Sequence, residues 1–237
     1  MRLRQIALVA HELEPAITGL CSTLGVEECF RDPGVGVFGL HNALVVTGDT
    51  FVEVVSPTAE GTTAGRYLER RGGDGGYMVL LDMTAVERVD VRQRAGNMGI
   101  REVFQAEDTH GSSHIIGTHF HPGDTGGAIL SVDTPTPAGT WGWAGDRWND
   151  IAPSTTSGRL VGVEIQSDRA DELTERWSQL LGVPATGHTL SMEESTISFV
   201  APSNDRGEGI CHFTVEAVDP AKRGTSVSVN GVSIGWV

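Results

Sequence analysis

The feature that most constrains this chain is an internal repeat. Residues 5–26 read QIALVAHELEPAITGLCSTLGV and residues 162–183 read GVEIQSDRADELTERWSQLLGV. Each places a short apolar strand, a polar turn, an amphipathic helix and a terminal Leu-Gly-Val in the same order. A chain built this way is an array of one supersecondary module, and no single copy can bury its apolar face alone. Gln5 corresponds to Gly162 and Gly25 to Gly182. Both later glycines read as helix stops, where the backbone needs a positive φ. Glu12 in the first copy, and Asp168 or Asp171 in the second, stand where helices begin.

The correspondence runs on downstream. TFVEVVSP (50–57) matches STISFVAP (195–202), both closing on proline, so Glu53 stands opposite Ser198. New apolar strands follow at GGYMVLLD (75–82) and ICHFTVEAVD (210–219). After the first comes a second helical segment around 84–98, then REVFQAED, SHIIGTHFH and GAILSVD, which alternate as strands do. The chain therefore reads as four β-α-β-β-β-like units, about 1–57, 74–133, 158–202 and 209–237, the last truncated. This predicts an α+β fold: an N-terminal domain of two modules (1–133), a connection (134–157) and a shorter C-terminal domain (158–237). The connection is rich in Pro, Gly and Ser, yet holds Trp141, Trp143 and Trp148, three of the five tryptophans. A free tether has no use for so much aromatic area, so the segment is expected to pack on a domain or over a pocket.

Composition narrows the partners. Thirty-one acidic residues against 17 basic give a net charge of −14, which repels phosphate backbones and anionic lipid surfaces. Nucleic acid and membrane are therefore excluded as expected partners, and a small-molecule substrate remains. The N-terminal apolar run, IALVA, is shorter than a signal sequence requires, and nothing approaches the ~20 apolar residues of a membrane span. Cys21, Cys29 and Cys211 are odd in number and match no zinc-ligand spacing. They read as reduced thiols of a cytoplasmic protein, monomeric or homodimeric.

Several residues could carry chemistry. Glu53 shares a strand face with Phe51 and Val55, and a carboxylate in so apolar a run must be paired, protonated or bound to a metal. It is a candidate metal ligand or general base. The amide of Gln5 could bind a hard cation or fix a substrate carbonyl. His119 and His121, two apart on a strand, would face one side as a metal pair requires, with Asp124 orienting one imidazole. Pro122 and Gly123 argue instead for an exposed strand end. His41 and Asn42 line a pocket or merely sit in a hairpin. Tyr77, beside Gly75 and Gly76, is a proton-transfer candidate or a core aromatic. Arg66 and Arg70, one turn apart on a helix capped by Thr62 or Thr63, meet either an anionic substrate or the surplus of surface acids. His11, His110, His114 and His188 fall in polar, turn-like surroundings and read as solvated.

The paired modules, together with DTFVEVVSP, GTTAGRYLERRGGDGGYM and HFHPGDTGGAILSVD, resemble the glyoxalase/bleomycin-resistance, or vicinal oxygen chelate, superfamily and within it the glyoxalase-like domain proteins. The resemblance implies modules curled into open barrels, with a divalent metal held by residues of the first and fourth strand of each module. Those positions fall on Gln5 and Glu53 in the first module, and on Gly76 and about Ser131 in the second. With His119 and His121 as substitutes, the implied ligand set is Gln5, Glu53, His119 and His121. It suits zinc, iron, manganese or nickel, and a metal-free protein is the other possibility. In the second half only His212 could ligate, so no metal is expected there. The implied function is a lyase or isomerase that abstracts a proton next to a carbonyl of a small oxygenated substrate, with Glu53 and Tyr77 catalytic and His41, Asn42 and Arg66 binding substrate. The alternative is a metal-free protein that sequesters small molecules, as in bleomycin resistance. The fold does not choose between them.

Overall fold

A computed structural model describes residues 1–237. The first half runs β1 (Arg2–Val9), α1 (Leu13–Leu24), β2 (Glu28–Phe30), β3 (Leu40–Thr47), β4 (Thr50–Pro57), α2 (Thr63–Arg71), β5 (Gly75–Asp82), α3 (Ala85–Asn97), β6 (Glu102–His110), β7 (Ser113–Phe120), α4 (Pro122–Thr125) and β8 (Ile129–Thr136). The second runs β9 (Ser157–Gln166), α5 (Ala170–Leu181), β10 (Ala185–Thr186), β11 (Thr189–Met192), β12 (Ser195–Val200), β13 (Gly209–Ala217), β14 (Ser226–Val229) and β15 (Val232–Trp236).

The strands form two sheets of one design. The first has the order β2-β3-β4-β1-β5-β8-β7-β6, the second β10-β11-β12-β9-β13-β15-β14. In each, the opening strands of two modules pair antiparallel at the centre, β1 with β5 and β9 with β13, and each pairs in parallel with its own module's last strand. The last module lacks a counterpart of α3 and of the outermost strand β6, which is the truncation read from the sequence. Register confirms the repeat: Ala7 lies beside Glu53, and Glu164, its counterpart, beside Ser198.

The helix ends follow local chemistry. Gly25 and Gly182 cap α1 and α5 at φ 66° and 70°, the left-handed conformation expected of them. Thr62 caps α2 by accepting the Gly65 amide at 3.0 Å, and Thr84 with Glu87 forms a capping box on α3. The start of α5 departs from expectation: Arg169 occupies the N-cap without a side-chain hydrogen bond, and Asp171 lies one step inside, where its charge meets the helix N-terminus.

The two sheets share one core. Ile6 and Leu8 of β1, Val79 and Leu81 of β5, Val163 and Ile165 of β9, and Phe213 and Val215 of β13 belong to a single cluster of 39 buried residues, sealed by Leu20, Val91 and Trp177 from the three long helices. Gly76 has its reason here. A Cβ at this position would lie 2.2 Å from Cβ of Ile210, so the glycine is what lets β5 approach β13. The other face of the first sheet is concave and holds a separate cluster, Leu44, Val46, Phe51, Leu80, Ile115 and Trp141. No helix is long and apolar enough to cross a membrane, and all three cysteines are unpaired.

Candidate functional site

Strand alternation decides which side chains reach the concave face. On β4, Val52 and Val54 go to the shared core, leaving Phe51, Glu53 and Val55 on the concave side. On β3, Asn42 turns inward and is buried. Its neighbour His41 therefore faces out and is exposed, away from Glu53. On β1 the amide of Gln5 is buried and inward.

These three residues make one network. Gln5 Nε2 donates to Glu53 Oε2 at 2.9 Å, and Asn42 Nδ2 donates to Glu53 Oε1 at 2.6 Å. Both amides are held from behind: Trp141 Nε1 donates to Gln5 Oε1 at 2.7 Å, and Asn42 Oδ1 accepts the Asp32 amide at 2.8 Å. Glu53 is thus a buried carboxyl with no cationic partner. Burial pushes its pKa up to about 7, helped by the charge of Asp32, against the hydrogen bonds from Asn42 and Gln5 that favour the ionised form.

The tryptophan-bearing connection lies inside this hollow. Trp141 is fully buried, stacked on Phe51 at 6.5 Å between ring centroids. Arg4, only 1% exposed, sits 5.5–5.8 Å from the rings of Phe51, Trp141 and Trp148. It donates to Asp49 at 3.0 Å and to the Gly139 carbonyl at 2.9 Å. A delocalised guanidinium among aromatic faces, with carbonyl and carboxylate partners, is a strong clamp on the segment.

A second buried acid stands three strands away on the same face, roughly 14 Å along the sheet. Asp133 of β8 accepts from Ser131 Oγ at 2.5 Å and from Trp143 Nε1 at 3.3 Å. Burial pushes its pKa up to about 7. The space it occupies exists because residue 117 is glycine, whose Cβ would stand 2.5 Å from Asp133 Oδ1. Sequence reading missed Asp133. The available signal was its parity with Ser131, which puts the two on one face.

The remaining candidates divide. His119 faces the concave side beside Phe104, with ring centroids 5.3 Å apart, and burial lowers its pKa to about 4, so it is neutral. His121 does not join it: β7 ends at Phe120, and His121 Nδ1 instead accepts the Gly123 amide at 3.0 Å as the cap of α4. Asp124 binds Arg101 at 2.7 Å rather than orienting an imidazole. Tyr77 clusters with Val9, Leu40, Val55 and Leu68 and meets Tyr67 edge-on at 5.2 Å. Burial, with Tyr67 adding to it, pushes its phenol up to about 12. Arg66 is exposed and donates to Thr63 Oγ1 at 3.0 Å, and Arg70 stacks on Tyr67. Neither meets the concave face. His11, His114 and His188 pair on the surface with Asp74, Glu107 and Asp171.

The implied metal can be tested against these donors. Register places Met78, rather than Gly76, at the position that mirrors Gln5, because Gln5 pairs with Leu80 and Ala7 with Met78. The fourth position is Ser131, beside Leu80 as Glu53 is beside Ala7. Gln5 turns its NH2 to Glu53 and has its oxygen occupied by Trp141. A cation shared by Gln5 and Glu53 would need that amide reversed, breaking both hydrogen bonds. Glu53, His119 and His121 do not converge, since the one group of three His, Cys, Asp or Glu side chains with ligand-like spacing is Asp32, Asp108 and His110. The residues as arranged do not fit a metal on Gln5 and Glu53.

Paired β-α-β-β-β modules around a concave face define the vicinal oxygen chelate fold. Solved structures similar to this chain include a hypothetical protein from Staphylococcus aureus, 10% identical, covering 99% of this chain and 98% of its own at TM-score 0.69. A methylmalonyl-CoA epimerase in complex with methylmalonyl-CoA and NH4+ is 22% identical over 57% of this chain and 95% of its own, at TM-score 0.47. The methylmalonyl-CoA epimerase of Mycobacterium tuberculosis is 20% identical over 57% and 88%, at TM-score 0.47. The likeness is one of fold. No family model matches the sequence, and no curated protein matches it.

Proposed function

We propose that the protein is an acid–base enzyme of the isomerase type, which removes and returns a proton next to a carbonyl of a small oxygenated organic molecule in the cytoplasm, with no metal on Gln5 and Glu53. The observation that carries this reading is Glu53: a buried carboxyl with a pKa of about 7, no cationic partner, and two amides fixing its oxygens. Such a group is partly ionised at neutral pH and protonates without a large driving-force penalty, which is what a general base needs. It takes the proton from the carbon, and negative charge develops on the substrate oxygen. The amides of Asn42 and Gln5, which touch Glu53, and the phenol of Tyr77, kept protonated by burial, are the donors offered to that charge. Glu53 then returns the proton.

A second reading has its own observation. Both Glu53 oxygens already accept hydrogen bonds, and Phe51 and Trp141 stack on one another on the same face of the sheet, an arrangement that also suits sequestration of an apolar or cationic compound by the aromatic surface. One experiment separates the two. Small carbonyl compounds are incubated with the protein in D2O and deuterium incorporation is followed by NMR. The enzyme reading expects exchange into at least one of them, lowered by 100-fold or more in Glu53→Gln. Ligand binding without exchange would transfer the case to sequestration.

A further inference from the structure

The mouth of the concave face is closed by two segments far apart in sequence. Phe38 meets Phe104 edge-on at 4.8 Å, and Phe30 meets the ring of His110 at 5.2 Å. Between these contacts lie Asp32, on the stretch joining β2 to β3, and Asp108 and His110, two apart on β6 and therefore on one face. Their ligand atoms all lie within 4.8 Å of one another. The His110 side chain is 26% exposed, and its Nε2 stands 3.1 Å from Asp108 Oδ2 without the alignment of a hydrogen bond. The Asp32 carboxylate is aimed by the Gly34 amide, which donates to Oδ1 at 2.7 Å. No arginine or lysine pairs with Asp32 or Asp108, although Arg31 is next in the chain: it turns to Glu14 and Glu28. A third carboxylate, Asp146, abuts Gly111, where a Cβ would sit 1.8 Å from its Oδ2.

Two carboxylates and an imidazole converge here with no arginine or lysine among them, a donor set that a cation would complete. We propose that Asp32, Asp108 and His110 bind a divalent transition-metal ion of the zinc class, which joins β6 to the β2–β3 connection across the barrel mouth. The mixed oxygen and nitrogen set suits such an ion. Three ligands at tetrahedral zinc stand about 3.4 Å apart, so the side chains close by roughly an ångström on binding. This site is separate from Gln5 and Glu53. Its link to them is mechanical: the Asp32 amide holds Asn42 Oδ1 at 2.8 Å, and Asn42 holds Glu53. The ion thus braces the support of Asn42 behind Glu53, and neither the base nor its proton transfer is required for binding.

The test is calorimetric titration of the chelator-treated full chain with zinc chloride, with the thermal midpoint measured alongside. One equivalent per chain is expected, with a rise in midpoint. His110→Ala and Asp108→Asn each weaken binding tenfold or more, while His114→Ala, a surface histidine of β7, and Glu53→Gln leave it unchanged. Circular dichroism establishes that the variants are folded. Absence of stoichiometric binding would overturn the assignment, as would binding that survives both site variants or is lost in Glu53→Gln.

Discussion

Replacing Trp141 by phenylalanine asks whether the connection is seated in the concave face as part of the site. Phenylalanine preserves the stack on Phe51 but removes the indole N–H that donates to Gln5 Oε1 at 2.7 Å. Two costs follow. A buried amide oxygen loses its only partner, worth about 1–3 kcal/mol. The missing ring atoms leave a void lined by Phe51 and Arg4, worth about 1 kcal/mol at ~24 cal/mol per Å3. The expected loss is therefore about 2–4 kcal/mol, read as a lower urea midpoint with unchanged slope. Gln5→Leu, combined with it in a double-mutant cycle, should show coupling of about 0.5–3 kcal/mol, because the two side chains share one hydrogen bond. A loss below about 0.5 kcal/mol with no coupling would refute this seating of the segment and, with it, the second support of Gln5.

Other consequences are as specific. Gly76→Val forces a Cβ to within 2.2 Å of Ile210 and should cost about 1–3 kcal/mol or more by overpacking, seen as a fall in the calorimetric midpoint. Glu53 and Asp133 both have folded pKa values near 7, above their ordinary 4.5 and 3.8. The folded state therefore holds these protons longer than the unfolded one, and stability falls as pH rises from about 4 to 7. Glu53 alone accounts for about 3 kcal/mol of that loss. Denaturant melts between pH 4 and 8 should show this slope, made shallower by Glu53→Gln and again by Asp133→Asn. Arg4→Met removes the guanidinium held by Asp49 and Gly139; Asp49 keeps Arg2 at 2.6 Å, so the cost, about 1–3 kcal/mol, is that of the lost hydrogen bonds and aromatic contacts. Its near-ultraviolet circular dichroism should change as Trp141 and Trp148 lose their clamp.

Much of the fold was legible because it rests on local signals that occur twice. The strand–helix repeat, the glycine stops at Gly25 and Gly182, and the strands of Glu53 and Ser198, each with a proline at or just beyond its end, all recur in register. Glu53 was legible as well, since a carboxylate flanked by Phe51 and Val55 is costly wherever the chain places it. What could not be read was set by distance in sequence. Trp141 reaches Gln5 across 136 residues, and no periodicity reports such a pairing. His110 looked solvated for the same reason: its neighbours Phe30 and Asp32 come from the far edge of the sheet. Of the two readings of His121, the metal pair presumes a continuous strand and fails, while the exposed strand end signalled by Pro122 and Gly123 holds: β7 ends at Phe120 and the imidazole caps the turn that follows. Gly76, which read as a lost ligand, is a packing requirement between two sheets.

The most direct measurement is the titration of Glu53 itself, by carbon-13 NMR of labelled glutamate carboxyls from pH 4 to 9, with Glu53→Gln assigning the resonance. One carboxyl titrating near 7, absent in the variant, is the predicted result. A Glu53 resonance that titrates between 4 and 5 with the surface glutamates would contradict a desolvated base at the centre of this site.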